Sequence, residues 1–162
     1  MPLIVVGVMG PGEGATAPEQ ERGYQLGRAI AAEGWALITG GRNVGVMDSA
    51  SRGAKEAGGL TIGILPSANR ERMSLAIDVP IVTGLGEARN LVNILSSQVV
   101  FACGMGAGTA SEVSLAIKAR RPVILLNPSA EAERFFVGLN PSLVHVATDV
   151  ADAISTARRL LE

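Results

Sequence analysis

The stretch VVFACGMGAGTASE, Val99 to Glu112, decides the fold class. It opens with an apolar run at Val99–Ala102, passes through a glycine-rich turn at Cys103–Thr109 and continues in a helical pattern. A strand that is apolar at successive positions is typical of a parallel sheet with helices on both faces. The stretch therefore predicts one strand–turn–helix unit of an α/β protein.

The same unit recurs along the chain, because further short apolar runs alternate with longer helical patterns. This alternation predicts a doubly wound, mostly parallel α/β sheet with helices on both faces. At 162 residues the chain has the size of a single domain, residues 1–162. The predicted strands are Leu3–Met9, Ala36–Thr39, Thr61–Leu65, Val79–Thr83, Val99–Ala102, Pro122–Leu126 and Leu143–Val146.

Capping signals and apolar spacing place the helices. Thr16 and Glu19 have the spacing of a capping box before the first helix. Leu91, Ile94 and Leu95 share one face of the third helix, as core-facing residues do. The predicted helices are Pro18–Glu33, Val46–Ala57, Ala88–Ser97, Thr109–Ala119, a short one within Asn127–Pro141, and Val150–Leu161.

The composition argues against several kinds of partner. The net charge is −1, and only 3% of the residues are aromatic. A nucleic-acid surface needs clustered positive charge and often stacking rings, so we expect no nucleic-acid partner. No apolar run approaches the roughly 20 residues of a membrane span, so we expect no membrane partner either. Cys103 is the only cysteine and His145 the only histidine. We therefore expect a cytoplasmic protein with neither a disulfide nor a metal site of its own.

Four glycine-rich loops follow predicted strands and precede helices: Gly10–Thr16, Gly40–Met47, Gly84–Asn90 and Cys103–Thr109. In an open parallel sheet such loops meet at the carboxyl edge, where ligands bind. Their backbone amides and the adjacent helix N-termini favour an anion, so we predict a phosphate-bearing ligand. The first loop lacks the G-x-G-x-x-G pattern of dinucleotide sites, and no G-x-x-x-x-G-K-[ST] motif is present. NAD and a P-loop nucleotide are therefore disfavoured.

Three charged residues lie in or beside these loops. Arg42 and Arg89 are natural bidentate partners for a phosphate, although each could instead form an ordinary surface ion pair. Glu112 follows Thr109 at capping-box spacing, so it either caps the helix or contacts a ligand. Cys103 is expected to be a packing residue.

Several motifs carry a family resemblance. The chain resembles the superfamily often labelled lysine decarboxylase-like, and within it the molybdenum cofactor carrier proteins. The similarity covers nearly the whole chain and implies a Rossmann-like fold. The motifs that carry it are GVMGPG (Gly7–Gly12), GGRNVGVMDSASRGAKEAGGLTIGILP (Gly40–Pro66), VPIVTGLGEAR (Val79–Arg89), ARN (Ala88–Asn90), GMGAGTASE (Gly104–Glu112) and LVHVATDVADAI (Leu143–Ile154).

This resemblance implies a non-catalytic protein that binds, protects and carries the phosphorylated molybdopterin–molybdenum cofactor. It implies partners of three kinds: further copies of the chain in a dimer-built tetramer, molybdoenzymes, and cofactor-biosynthesis proteins. The terminal phosphate of the pterin suits glycine loops and arginines, and its own dithiolene holds the metal. The residues expected to bind the cofactor are Gly10, Pro11, Gly12, Gly40, Gly41, Arg42, Gly45, Val46, Met47, Arg89, Asn90, Gly104, Met105, Gly106, Gly108, Thr109 and Glu112.

The enzymatic branch of the superfamily supplies the alternative. Its cytokinin-activating phosphoribohydrolases cleave nucleoside 5′-monophosphates to a base and ribose 5-phosphate. Arg89 and Glu112 match the arginine and the glutamate on which that chemistry depends. Gly104 and Met105 replace the proline and first glycine of the P-G-G-x-G-T-x-x-E signature, which disfavours hydrolase activity.

Overall fold

Seven strands and six α-helices are present in the computed structural model, which describes residues 1–162. A 3₁₀ turn at Gly86–Ala88 precedes the third helix. The strands are β1 (Val5–Met9), β2 (Ala36–Thr39), β3 (Thr61–Leu65), β4 (Val79–Val82), β5 (Val99–Cys103), β6 (Val123–Leu126) and β7 (Val144–Ala147). The helices are α1 (Ala17–Ala32), α2 (Gly45–Glu56), α3 (Arg89–Ser96), α4 (Ala107–Lys118), α5 (Ala130–Leu139) and α6 (Val150–Leu161). None of these helices combines the length and the apolar character that a membrane crossing would require.

All seven strands form one parallel sheet in the order β4-β3-β2-β1-β5-β6-β7. The central strand is β1, where Val6 pairs with Leu37 of β2 on one side and Val99 of β5 on the other. Strands β2, β3 and β4 follow in order on one side of β1, and strands β5, β6 and β7 follow in order on the other side. The boundary between β1 and β5 is therefore the topological switch point, and the predicted doubly wound fold is confirmed.

Two hydrophobic cores cover the two faces of the sheet. One core holds α1, α2 and α6 against the strands, with Leu26, Val46 and Ile154 among its buried residues. The other holds α3, α4 and α5, with Val113 and Phe136 among its buried residues. Because the central strands are covered on both sides, their sequences are apolar at successive positions instead of alternating.

Helices α1 and α2 pack unusually closely, because each presents a glycine to the backbone of the other. A Cβ atom built at Gly27 would lie 2.0 Å from the Ala50 carbonyl oxygen, and one built at Gly53 would lie 2.0 Å from the Tyr24 carbonyl oxygen. These contacts leave no room for a side chain at either position. They fix α2 relative to α1, and with it the loop after β1 relative to the loop after β2.

The N-termini of α1 and α4 differ. At α1 the predicted capping box is present, since the Glu19 amide donates to the Thr16 hydroxyl and the Thr16 amide donates to the Glu19 carboxylate. Helix α4 starts at Ala107, and its N-cap residue Gly106 has no side chain to accept a hydrogen bond. Thr109 therefore lies inside the helix, and of the two roles left open for Glu112, a capping box with Thr109 is not formed.

The edge of the sheet at β4 is more exposed than the sequence predicts. Three of the four β4 side chains are exposed, with Ile81 at 43%, although the sequences of most strands are typical of coverage on both faces. Of the three apolar α3 residues that were expected to face the core, only Ile94 is buried, whereas Leu91 and Leu95 are exposed. Exposed apolar side chains thus occur on both β4 and α3.

Candidate functional site

A cavity of about 610 Å³ opens at the carboxyl edge of the sheet. Its walls come from the loops after β1, β2 and β3, from the start of α3 and from the first turns of α4. This is the topological switch point of the sheet, the place where ligands bind in doubly wound folds. Only four of its 23 lining residues are hydrophobic, so the cavity suits a polar ligand.

The four glycine loops bring most of the predicted site residues to this one cavity. They come from segments far apart in the sequence and meet because the parallel strands end at the same edge. The predicted residues that line the cavity are Gly10, Pro11, Gly12, Gly40, Arg42, Met47, Arg89, Asn90, Gly106, Gly108, Thr109 and Glu112.

The other predicted residues lie off the cavity wall. Val46 is fully buried in the core between α1, α2 and the sheet, and Gly41 and Gly45 shape the backbone of the loop between β2 and α2. Gly104 and Met105 line a smaller neighbouring cavity of about 230 Å³. Ligand contact by these five residues stays a prediction.

Arg89, the first residue of α3, is buried to 8% exposure beside the cavity. Its Nη1 donates to the Ile64 carbonyl oxygen at 2.9 Å, while its buried Nε has no partner. Burial lowers the pKa of the guanidinium, and the charges of Glu112 and Glu87 oppose that shift. An arginine stays protonated in such surroundings. The carbonyl at the end of β3 and the nearby carboxylates thus compensate a cation that the α3 dipole disfavours.

Glu112 lies on α4, where its side chain lines the cavity instead of capping the helix. Burial raises the pKa of the Glu112 carboxyl to about 7, and the charge of Arg89 acts in the opposite direction. Near neutral pH the group is divided between its acid and its carboxylate forms. It can therefore either donate to or accept from a ligand hydroxyl or amine.

Two further polar side chains nearby have unsatisfied atoms. The Thr109 hydroxyl and both amide atoms of Asn93 are buried without a hydrogen-bond partner. Buried polar groups are almost always paired, so the unpaired Thr109 hydroxyl is available to a molecule bound in the cavity. Thr109 lines the cavity directly. Asn93 lies one helical turn after Arg89, and no motif in the sequence pointed to it.

Sequence reasoning also missed a charged group at the mouth of the cavity. Glu13, Arg72 and Glu71 line it, and the last two belong to the polar loop Ser67–Ser74 between β3 and β4. One oxygen of Glu13 accepts from Arg42 Nη2 at 2.8 Å and lies 3.4 Å from Arg72 Nη2. The signal that could have found Arg72 is its place in a charged loop directly after a predicted strand.

Cys103 belongs to the core and not to the cavity. Its side chain is fully buried, and its Sγ donates to the Glu19 carbonyl oxygen at 3.4 Å. Burial raises the pKa of the thiol to about 12, so the group is a protonated thiol at neutral pH. No group of three His, Cys, Asp or Glu side chains in the chain is arranged to hold a metal ion.

The fold and the cavity define a Rossmann-like α/β protein that presents glycine-loop amides and arginines to a polar ligand. The chain belongs to the SLOG cluster4 family, whose members it matches over residues 3–154. An uncharacterized protein of Archaeoglobus fulgidus is 37% identical over 133 residues, which are 82% of this chain and 86% of that protein.

Solved structures show a closer likeness. The molybdenum cofactor binding protein of the phototrophic bacterium Rippkaea orientalis is 53% identical, with a TM-score of 0.98 over 100% of this chain and 99% of that one. The Moco carrier protein of Chlamydomonas reinhardtii is also 53% identical, with a TM-score of 0.93 over 99% of this chain and 98% of that one. These matches confirm the resemblance that the glycine motifs indicated.

Proposed function

We propose that this protein binds, protects and carries the phosphorylated molybdopterin–molybdenum cofactor and delivers it to molybdoenzymes. The observation that carries the proposal is the match at 53% identity and a TM-score of 0.98 to a solved molybdenum cofactor binding protein, over essentially the full length of both chains. A cavity of about 610 Å³ lies within the usual range for small-molecule sites, which bury most of a ligand's surface. Burial of this kind would shield an oxygen-sensitive cargo.

The phosphate end of the cargo fits the start of α4. Gly106 provides no side-chain cap there, so the first amides of the helix are free of side-chain partners and, with the helix dipole, favour an anion. The buried Thr109 hydroxyl without a partner adds a donor to this end of the cavity. The positive charge of the Arg89 guanidinium complements the negative charge of the phosphate.

The metal of the cargo requires no ligand from this chain. The dithiolene of the pterin holds the metal, and the chain has no cluster of His, Cys, Asp or Glu side chains arranged for that purpose. The only thiol, at Cys103, is buried in the core with a strongly raised pKa. The donor set of the cavity therefore suits a cargo that carries its own metal ligands.

The exposed apolar surface of β4 and α3 supports a homo-oligomer as the working form, and we propose the dimer-built tetramer that the resemblance implies. Leu91 and Leu95 are exposed on α3, and Val79, Ile81 and Val82 are exposed on the edge strand β4. Apolar surface of this kind marks interaction sites in stable proteins. Light scattering on purified protein gives the mass directly, and a monomer that persists at high concentration would remove this part of the proposal. We place the protein in the cytoplasm, because its single cysteine excludes an internal disulfide and fits a reducing compartment.

One observation favours a second candidate function. Arg89 and Glu112, the residues on which phosphoribohydrolase chemistry depends, line the same cavity. In such an enzyme Arg89 would position the phosphate, and Glu112 would stabilise positive charge developing on the ribose. The resemblance of the solved relatives favours the carrier.

The deciding experiment measures cargo protection and nucleotide turnover on the same preparation. Cofactor released from a molybdoenzyme is added to the protein in air, and its survival is followed by activation of a cofactor-free molybdoenzyme. A carrier prolongs survival and transfers its cargo, and Arg89→Ala reduces both effects while the exposed Arg134→Ala does not. In parallel, AMP is added and ribose 5-phosphate is measured. Turnover that disappears in Glu112→Ala, without any protection of the cofactor, would establish the hydrolase instead.

A further inference from the structure

The mouth of the cavity carries two arginines that share one carboxylate. Arg42 Nη2 and Arg72 Nη2 lie 2.8 Å and 3.4 Å from the same oxygen of Glu13. All three side chains line the cavity. Two guanidinium groups that converge on one oxyanion are the usual arrangement of a protein site for phosphates and related anions.

The two arginines are held together by backbone contacts between their loops. Arg42 forms an isolated antiparallel bridge with Met73, and the Asn43 amide donates to the Arg72 carbonyl oxygen at 2.8 Å. Arg72 itself has a left-handed backbone conformation with φ of 60°, which is uncommon for a residue with a side chain. The loops after β2 and β3 therefore hold the backbones of the two arginines side by side before any ligand arrives.

Glu13 is as open to solvent as Arg72, whose side chain is 68% exposed, and is held less firmly than Arg42, whose side chain is 23% exposed. It lies between Gly12 and Gly14, its side chain is 67% exposed, and a Cβ atom at Gly14 would meet open space. The hydrogen bond from Arg42 lowers the pKa of Glu13, so the group is a carboxylate at neutral pH. Exposed ion pairs contribute little to stability, and an incoming anion can displace this carboxylate at small cost.

We propose that Arg42 and Arg72 form a second anion subsite, separate from the one at Arg89 and α4, and that Glu13 occupies it as an internal carboxylate until an anionic group of the ligand displaces it. This inference rests on the proposed function, because the second anionic group would be the oxo-metal end of the cargo whose phosphate lies at Arg89. Arg42 adds to the depression of the Arg89 pKa, which places the two subsites within electrostatic reach of each other. A ligand with an anionic group at each end would occupy both subsites.

Tungstate is a suitable probe, because it is a tetrahedral dianion that does not titrate near neutral pH. Its affinity is measured by calorimetry at low ionic strength for the wild type, Glu13→Gln, Arg72→Gln and the double variant. Glu71→Gln is the matched control, because Glu71 lines the cavity on the same loop as Arg72 but makes no ion pair with the two arginines. It removes the same charge without freeing the subsite.

The subsite predicts that Glu13→Gln strengthens tungstate binding about five-fold, whereas Glu71→Gln changes it less than about two-fold. Adding Arg72→Gln to Glu13→Gln should abolish the gain. Crystals of Glu13→Gln soaked in tungstate should show anomalous density between Arg42 and Arg72. Equal gains in the two glutamine variants, or a gain that survives the loss of Arg72, would overturn the inference.

The outcome is independent of the carrier assay. If cofactor protection fails but tungstate follows the predicted pattern, the proposed function is lost and the anion subsite stands. If the cofactor is protected and delivered but tungstate binding is indifferent to Glu13, the subsite is lost and the carrier function stands.

Discussion

The guanidinium of Arg89 lies directly against the backbone of Gly40. A Cβ atom built at Gly40 would be 2.0 Å from Arg89 Nη1 and 2.6 Å from the Met47 sulfur. Gly40, the first residue after β2, has no side chain and thus leaves the space that the Arg89 guanidinium occupies. The first glycine of the GGRN motif is therefore required by Arg89, which lies nearly fifty positions later in the sequence.

Gly40→Ala should therefore act on ligand binding through Arg89. The added methyl group forces the guanidinium away from the Ile64 carbonyl, and we expect binding of AMP or sulfate to weaken by roughly ten-fold. Calorimetry measures the affinity, and the crystal structure of the variant shows the arginine. Gly138→Ala is the control, because a Cβ atom there meets nothing within 4 Å. Unchanged affinity together with a displaced Arg89 would remove this arginine from the site.

Arg89→Ala should weaken phosphate-ligand binding by about 1.5–3 kcal/mol, the cost of losing a charge-assisted contact. Arg134→Ala removes an exposed arginine outside the cavity and should leave the affinity unchanged. Titration of both variants with AMP gives the comparison. An equal, small loss in both would mean that only general electrostatic attraction had been reduced.

Anion affinity should fall as the pH rises through about 7. The Glu112 carboxyl, whose pKa is raised to about 7 by burial, loses its proton in this range and adds a negative charge to the cavity. Sulfate does not titrate here, so its dissociation constant measured from pH 5.5 to 8.5 should increase by roughly three- to ten-fold. Glu112→Gln should flatten this dependence. A slope that is the same in the wild type and the variant would assign the effect to another group.

Glu112 should also give the free energy of unfolding a pH dependence. The folded-state pKa of about 7 lies above the ordinary value of 4.5 for a glutamate carboxyl. The folded protein therefore binds the proton more tightly, and the stability gained from it is complete below pH 4.5 and is lost as the pH rises through 7. Urea unfolding at pH 4.5, 6 and 8 should show a steeper loss for the wild type than for Glu112→Gln. Parallel curves would contradict the raised pKa.

Gly27→Ala should destabilise the fold. Its methyl group would lie 2.0 Å from the Ala50 carbonyl oxygen, so α1 and α2 must separate. We expect a loss of about 1–3 kcal/mol, as for other overpacked positions. Urea denaturation measures it, with Gly138→Ala in α5 as the control, where a gain of up to about 1 kcal/mol is expected from helix propensity. Equal stability of the two variants would show that the helices adjust freely.

Much of the fold was predictable because its signals are local. Apolar runs at successive positions marked the covered strands, and the Thr16–Glu19 spacing marked the start of α1, which the structure confirms. The start of α4 was predicted two residues late. The spacing of Thr109 and Glu112 imitates a capping box, but the backbone already turns into the helix after Gly106. A spacing motif cannot distinguish a cap from the same residues one turn further on.

The features of the candidate site also separate into those predictable from the sequence and those visible only in the structure. The sequence alone determined that glycine loops from a parallel sheet would meet at one edge and favour an anion, because strand polarity brings the carboxyl ends together whatever the details. Only the tertiary structure decided that Arg42, Arg72 and Glu13 converge on one point, that Gly40 makes room for Arg89, and that burial moves the Glu112 pKa to about 7. Glu13 and Arg72 are 59 positions apart. Their contact depends on how the loops fold over the sheet edge, and no pattern of neighbouring residues encodes that.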